Sequence, residues 1–342
     1  MEDVATAAGV SKATVSRVLA GVANSATPET AEQVRRVASE LGYMVNSLAS
    51  SLRSRQSFTI GLVLADVSNP FFGRVASGVE TRLAQSGYSV ILGNTGNLPE
   101  HERAIVRVLV ERQIDGLIVA SSTLDGAHLR EAQARGVRLV LIDSAVPDIA
   151  ADSVTIDNAG GARQATEHLL ALGHHRIGFV SGPLSADFDI QRLGGYRDAL
   201  AAAGVAFDPA LVVAGDLTAA GGRQAAAAVL AMPQRPSAVF VSNNMMALGL
   251  LVTFSEAGVS IPAEISVVAF DEEDWYAICH PPLTGVANSS VDMGQTAAER
   301  MLHAIGTANP LAPEHIRLPA VLVPRRSTRR MPAIGDQGEK AV

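Results

Sequence analysis

Two sets of polar residues stand out by type and spacing. The first lies in "GVSKATVSRVLAG", residues 9–21, where Lys12, Thr14, Ser16 and Arg17 crowd one short segment. Ammonium and guanidinium groups suit guanine O6 and N7, and hydroxyls suit phosphate oxygens, so this set fits nucleic acid better than a metabolite. The second set is Asp66, Asp143, Asn243 and Asp271, each at or just past the end of an apolar run. Carboxylates and amides so placed accept or share hydroxyl hydrogen bonds, and Phe71, Phe72 and Trp275 could cover the C–H face of a sugar-like ring. Each acid also has a plainer reading as a cap, a turn or a core group.

The first set needs helices to present it. Glu2 to Ala8 reads as one helix stopped by Gly9, and a second starts after Ser11 and runs to about Leu19. A third is capped by Thr27, has Pro28 at its first position, presents Ala31, Val34, Val37, Ala38 and Leu41 as one apolar face, and stops at Gly42. Ala5, Gly9, Val10, Val15 and Val18 occupy the places that a helix-turn-helix requires to be small, flexible or β-branched. The second helix would then enter a major groove about 12 Å wide, with Lys12 and Arg17 toward guanine and Ala13 leaving room for a thymine methyl. Thr14 and Ser16 would bind phosphate. A three-helix interaction domain with a solvated polar face is the alternative.

From Phe58 the period changes. "FTIGLVLA", "YSVILG", "IDGLIVA", "VRLVLID", "RIGFVSG", "SAVFVS" and "ISVVAFD" are short β-branched runs, separated by helical stretches such as "GARQATEHLLALG". This alternation implies parallel sheets covered on both faces by helices, and its length suits two α/β lobes rather than one giant sheet. Ligands in such sheets bind beyond the carboxyl ends of strands, where the second polar set lies. Between the two regions, "NSLASSLRSRQS" reads as a linker, although Leu48, Ala49 and Leu52 would lie together on a short helix.

Composition narrows the class. The 342 residues are 48% hydrophobic and 18% charged, a globular balance, and no apolar run is long enough for a membrane span. The start "MEDVATAAGVSK" lacks the basic and apolar blocks of a secretory signal, so the expected location is the cytoplasm. Cys279 is the single cysteine, read as a small buried hydrophobe, and neither a disulfide nor a zinc pattern exists. The net charge of −7 is uneven: residues 1–56 carry six Lys/Arg against five Asp/Glu. No G-x-G-x-x-G follows the first strand, where "VSNPFFG" stands instead, and neither a phosphate loop nor a G-x-S-x-G elbow is found. No catalytic grouping and no cofactor are expected. Among the rivals, a sugar-modifying enzyme would need a catalytic base against its substrate, and a transport receptor would need a signal peptide and no headpiece.

"EDVATAAGVSKATVSRVLAG", "TPETAEQVRRVASELGYMVN" and "LASSLRS" resemble the DNA-binding headpiece of the lactose-repressor (LacI/GalR) family. "IGLVLADVSNPFF", "DGLIVASS", "IDNAGGARQATEHLLALGHHRIGFVSGP", "QRLGGYRDAL", "AVFVSNNMMALG", "ISVVAFDEEDW" and "PPLTGV" extend the resemblance to residue 330 in the family's order. It implies a small all-α helix-turn-helix headpiece joined to an α/β two-lobed domain with parallel sheets, like type I periplasmic binding proteins. The boundaries it implies are a headpiece at 1–45, a hinge helix or linker at 46–57, an effector-binding and dimerisation domain at 58–330, and a flexible tail at 331–342. Within that domain the N-lobe would take about 58–156 and 290–317, and the C-lobe about 157–287 and 318–329.

The partners implied are a homodimer, a pseudo-palindromic double-stranded DNA operator and a small sugar-like effector, with no membrane. Lys12, Ala13 and Arg17 would read bases, and Leu52, with Ala49 on the same hinge helix, would wedge into the minor groove. Asp143, Arg192, Asn243, Asp271 and Asn288 match effector-contact positions, and Phe71 and Phe72 the loop that lines the pocket. Two departures, Asn244 for a usual Asp and Asn288 for a longer amide, imply a differently shaped or less anionic pocket. The start at Met1 is abrupt for the family, so helix one is expected to lack its cap. His174–His175 falls in a structural turn, "PRRSTRR" at 324–330 reads as a solvated strand end, and "MPAIGDQGEKAV" carries no heptads, which favours a dimer.

Overall fold

The computed structural model describes residues 1–19, 25–43, 56–184, 186–307 and 312–332. The chain divides into two compact units, Met1–Phe58 and Thr59–Val342.

The first unit holds α1 (Glu2–Ala7), α2 (Lys12–Leu19) and α3 (Pro28–Glu40). Val4, Ala5, Ala8, Val15, Val18, Val34, Val37 and Ala38 form its core. Gly9, at φ +65°, makes the turn that a side chain would strain. Ser11 Oγ accepts from Thr14 N at 3.1 Å, and Thr27 Oγ1 accepts from Thr30 N at 3.3 Å with Pro28 opening the helix. No side chain caps α1. Ala49 and Leu52, and with them the expected hinge helix, lie outside the described residues, as does nearly all of the expected tail.

The second unit contains two six-stranded sheets. β1 (Thr59–Leu64), β2 (Ser89–Asn94), β3 (Gly116–Val119), β4 (Arg138–Ile142) and β5 (Asp152–Ile156) run parallel in the order 2-1-3-4-5, and β11 (His315–Leu318) pairs parallel beside β5. β6 (Ile177–Ser181), β7 (Val212–Ala214), β8 (Ala238–Val241), β9 (Ser266–Phe270) and β10 (Thr284–Asn288) repeat that order as 7-6-8-9-10. β12 (Ala320–Val323) closes this second sheet antiparallel to β10. Both sheets therefore reverse strand order beside their first strand, at β1/β3 and at β6/β8, the places where such folds open a crevice. β5, β7, β10 and β11 were not among the strand-like runs of the sequence. β7 and β11 are part-exposed edge strands, and β5 and β10 interrupt their apolar residues with polar ones.

The chain crosses between lobes three times, at Asp157, at Ser289 and at Pro319. The helices are α4 (Pro70–Ala84), α5 (Pro99–Glu111), α6 (Ala127–Ala134), α7 (Asn158–Ala171), α8 (Asp187–Ala202), α9 (Ala219–Ala231), α10 (Asn244–Glu256), the short α11 (Asp274–Ile278) and α12 (Ser290–Gly306). α12 returns to the first lobe, where Met293, Ala297, Ala298 and Met301 pack with Ile60, Leu62, Val75 and Val79. Gly78 and Gly294 let α4 and α12 touch backbone to backbone: a Cβ on Gly78 would sit 2.3 Å from Val291 O. None of the described helices is long and apolar enough to cross a membrane.

The Arg cluster near the end keeps Arg326 and Arg330 exposed, as expected of a solvated strand end, while its other residues tie it to the second lobe. Ser327 is buried and donates to Val267 O at 2.6 Å, Arg325 pairs with Glu272, and Arg329 Nε donates to Pro262 O at 2.9 Å. His174 is buried against Ser237 Oγ and Arg329 O, a structural turn. Cys279 is half-buried and unpaired.

The α4–α12 contact yields a paired expectation. Gly78→Ala should destabilise the protein by ~1–3 kcal/mol, because overpacking meets backbone that cannot yield. Gly73→Ala on the same helix, with nothing within 4 Å of its Cβ, should stabilise by ~0.5–1 kcal/mol through helix propensity. Urea unfolding of the two variants reads both signs.

Candidate functional site

α2 turns Val15 and Val18 into the headpiece core, which leaves Lys12, Ala13 and Arg17 exposed and Thr14 and Ser16 half-exposed. Lys12 Nζ lies 2.6 Å from Glu2 Oε1, an exposed pair. Such pairs contribute only ~0–1 kcal/mol, so Lys12 exchanges readily to a phosphate or a base. Thr14 Oγ1 shares a 2.9 Å hydrogen bond with Ser11 Oγ. One helix face thus presents two cations, a small residue and two hydroxyls.

The second site lies between the carboxyl ends of the two sheets. It is a cleft with about 90 Å³ of free volume, lined by Asp66, Phe71, Phe72, Asp143, Arg192, Asn243 and Asp271 from the sequence expectation. Asn69, Ser121, Ser122, Phe188, Asp216 and Leu217 line it as well. The two phenylalanines meet edge to face, ring centroids 5.0 Å apart.

Arg192 is the electrostatic centre of the cleft, 2% exposed. Its Nε donates to Asn158 Oδ1 at 2.9 Å, its Nη1 donates to Ser242 O, and both terminal nitrogens reach the Asp271 carboxylate at 3.4 Å. Its guanidinium lies 3.8 Å from the centroid of the Phe270 ring and 5.3 Å from that of Phe188. Burial pushes Asp143 up to about 7, against the opposing pull of Arg192. Asp189, one helical turn before Arg192, is pushed to about 6 by burial, again opposed by Arg192. Asp271 is also raised by burial, with Arg192 pulling the other way. Asp143 and Asp271 end matching strands of the two lobes, and both adopt left-handed backbone, φ +65° and +61°. Asp tolerates that region better than a branched residue, and the turn aims each carboxylate inward.

Not every expected residue faces the cleft. Asn288 stands behind it, donating to Asp271 Oδ1 at 2.7 Å and so orienting that acid. Trp275 is outside the lining: its ring packs on Tyr276 at 4.4 Å and against the apolar cluster of the second lobe. Phe188 supplies the aromatic face instead. Its signal was the spacing of four to Arg192 on one helix. Asn243 lines the cleft, but its Oδ1 caps Met246 N at 2.9 Å and its amide donates to Leu217 O at 3.0 Å, the plainer role weighed from sequence. Asp66 Oδ1 is engaged by Ser68 N and Oγ in a local turn.

Asn244 departs from expectation in an informative way. It does not line the cleft; it joins a polar clasp between the lobes. Its Nδ2 donates to Asn69 Oδ1 at 2.8 Å and to Glu273 Oε1 at 2.7 Å. Arg74 completes the clasp with two bonds to the Glu273 carboxylate, 2.7 and 2.8 Å, and one to Ser290 Oγ at 3.0 Å. Glu273 is 5% exposed, so an aspartate at 244 would place a second carboxylate against a buried one. The amide is what the neighbouring glutamate permits.

Comparison with known proteins agrees with this architecture. Residues 1–46 match the bacterial regulatory proteins, lacI family, and residues 166–328 match the periplasmic binding protein-like domain. The HTH-type transcriptional repressor CytR of Escherichia coli (strain K12) is 32% identical over 337 residues, 97% of each chain. A transcriptional regulator CelR–cellobiose complex is 32% identical with a TM-score of 0.73, covering 95% of this chain and 98% of the other. The lac repressor dimer bound to operator and the anti-inducer ONPF is 30% identical with a TM-score of 0.83, over 96% and 98%. Headpiece, paired lobes and near-complete coverage coincide, and the chain belongs to the lacI family of bacterial regulatory proteins, which are DNA-binding transcriptional regulators.

Proposed function

We propose that this regulator acts as a homodimer and a repressor. Lys12, Ala13 and Arg17 read base edges of each operator half-site, while Thr14 and Ser16 hold phosphate. The segment at 46–55 is proposed as the hinge, with Ala49 and Leu52 toward the minor groove. The effector is a neutral, hydroxyl-rich metabolite held between the lobes. Operator affinity changes by the difference in effector affinity between the two lobe arrangements.

One observation carries the effector reading: a single buried arginine lines the cleft with Asp143 and Asp271, and the buried Asp189 stands one helical turn before it. Acids outnumber the cation, so a phosphate or carboxylate ligand meets repulsion, whereas sugar hydroxyls meet acceptors and the Phe71, Phe72 and Phe188 rings cover carbon. The free volume of about 90 Å³ falls short of the ~300–1,000 Å³ typical of small-molecule sites, so entry requires the lobes to part. Asp271 is already engaged with Arg192, and Asp189 Oδ1 accepts from Gly182 N at 3.3 Å, an arrangement for holding rather than for turnover. The protein is proposed to work in the cytoplasm, where its operator is.

Three measurements test this. Arg17→Ala should weaken specific operator binding by ~1–3 kcal/mol per half-site and leave random-sequence binding nearly unchanged in a fluorescence anisotropy titration; equal loss on both DNAs would show that Arg17 reads no base. Asp271→Ala should abolish the thermal shift that a binding sugar produces, and a retained shift would remove Asp271 from the site. The third uses pH. A folded-state value near 7 for Asp143, against an unfolded value near 3.8, means that the folded protein binds the extra proton between those limits. Stability from this group is therefore present at low pH and is lost as pH rises through 7. Asp143→Asn should flatten the stability difference between pH 5 and pH 8 by roughly 2–4 kcal/mol relative to wild type. Parallel profiles would place Asp143 in water.

A further inference from the structure

Behind the first lobe's wall of the cleft lies a further buried acid that the effector reading does not use. Glu102, near the start of α5, is 0% exposed. Its Oε1 accepts from Ser121 Oγ at 2.7 Å and bonds His128 Nε2 on α6 at 2.8 Å; its Oε2 accepts from Ser122 N at 2.6 Å. Ser121 and Ser122 follow β3 and line the cleft. Ser122 Oγ in turn shares a 3.0 Å bond with Thr95 Oγ1, which donates to Ala65 O, so one carboxylate ties the loops after β1, β2 and β3 together.

The direction of these bonds matters. The Glu102 carboxylate accepts only, so His128 carries a proton on Nε2, while its Nδ1 is buried with no partner among the described residues. Burying a carboxylate is costly unless several donors meet it, and here three do. The single proton of Ser121 Oγ is committed either to Glu102 or to Thr123 O at 2.9 Å. Thr123 N donates to the same oxygen at 3.4 Å, so Ser121, a lining residue of the cleft, keeps one lone pair and no proton to give.

We propose that Glu102 is a positioning residue for effector specificity. It holds Ser121 as an acceptor, so this wall selects a ligand that offers a hydroxyl proton and discriminates against an ether, a carbonyl or a deoxy position. The inference rests on the effector cleft proposed above. It adds a direction to the hydrogen bonds there and assigns a residue that never touches the ligand.

The test uses the full-length protein, a panel of neutral mono- and disaccharides that includes cellobiose, and monodeoxy analogues of whichever sugar shifts the melting temperature. Glu102→Gln keeps shape but puts an amide donor where one of the three donors now points. It should weaken sugar binding at least tenfold in calorimetry, with operator affinity in the absence of sugar within twofold of wild type. Ser121→Ala leaves Glu102 two of its donors and guards against a Glu102 variant that fails to fold. It should bind the parent sugar and one particular monodeoxy analogue equally, where wild type separates them at least tenfold. Unchanged affinity in Glu102→Gln, or full discrimination in Ser121→Ala, overturns the positioning role while the cleft stands. Wild type that binds no sugar in the panel overturns the cleft reading, and this inference falls with it.

Discussion

The cleft depends on how one guanidinium offsets the acids around it. Arg192 is closed off from water with Asp271 in contact and Asp143 and Asp189 within its field. An unpaired buried charge would cost several kcal/mol, and an excess of buried acid would hold the lobes apart. The solution is mixed: one acid is paired, two are raised toward neutral pH by burial, and the cation stacks on Phe270, where a ring face takes the place of water. The strand ends follow from the same constraint. Asp143 and Asp271 both take left-handed backbone at the strand ends, a local cost that the surrounding fold holds in place.

The clasp of Arg74, Glu273, Asn244 and Asn69 meets a related constraint at the outer edge of the lobe interface. Arg74 keeps its charge partly in water while Glu273 is buried, so the pair closes the lobes without stranding either ion. Opening the lobes exposes Glu273 to water, which offsets part of the lost contact. The two lobe arrangements can therefore lie close in free energy, as a regulator set by a metabolite requires.

Much of this organisation was legible in the residue order, and the parts that were not share a cause. The headpiece helices carry their own signals: Ser11 and Thr27 cap, Pro28 starts, and Gly9 and Gly42 stop. Parallel strands buried on both faces appear as unbroken apolar runs, whereas β5, β7, β10 and β11 lie at edges or carry polar residues and escaped notice. In the cleft, acids at strand ends were found because chain position alone fixes where a strand stops. Trp275 was misplaced because its direction depends on its packing against Tyr276, which local pattern does not encode. Glu102 and Asn69 were missed for the same reason: each meets partners brought near only by the closed fold, from Ser121 at a spacing of 19 to Asn244 at a spacing of 175.

The threefold passage of the backbone between the lobes has a consequence for synthesis. The first lobe begins at Thr59, yet α12, which fills its floor with Met293, Ala297, Ala298 and Met301, leaves the ribosome only after nearly all of the second lobe. Until then Ile60, Leu62, Val75 and Val79 lack their cover. A nascent chain truncated before Ser290 would carry an open apolar face, the kind of surface that chaperones hold, so the first lobe completes its core only after most of the second has been made.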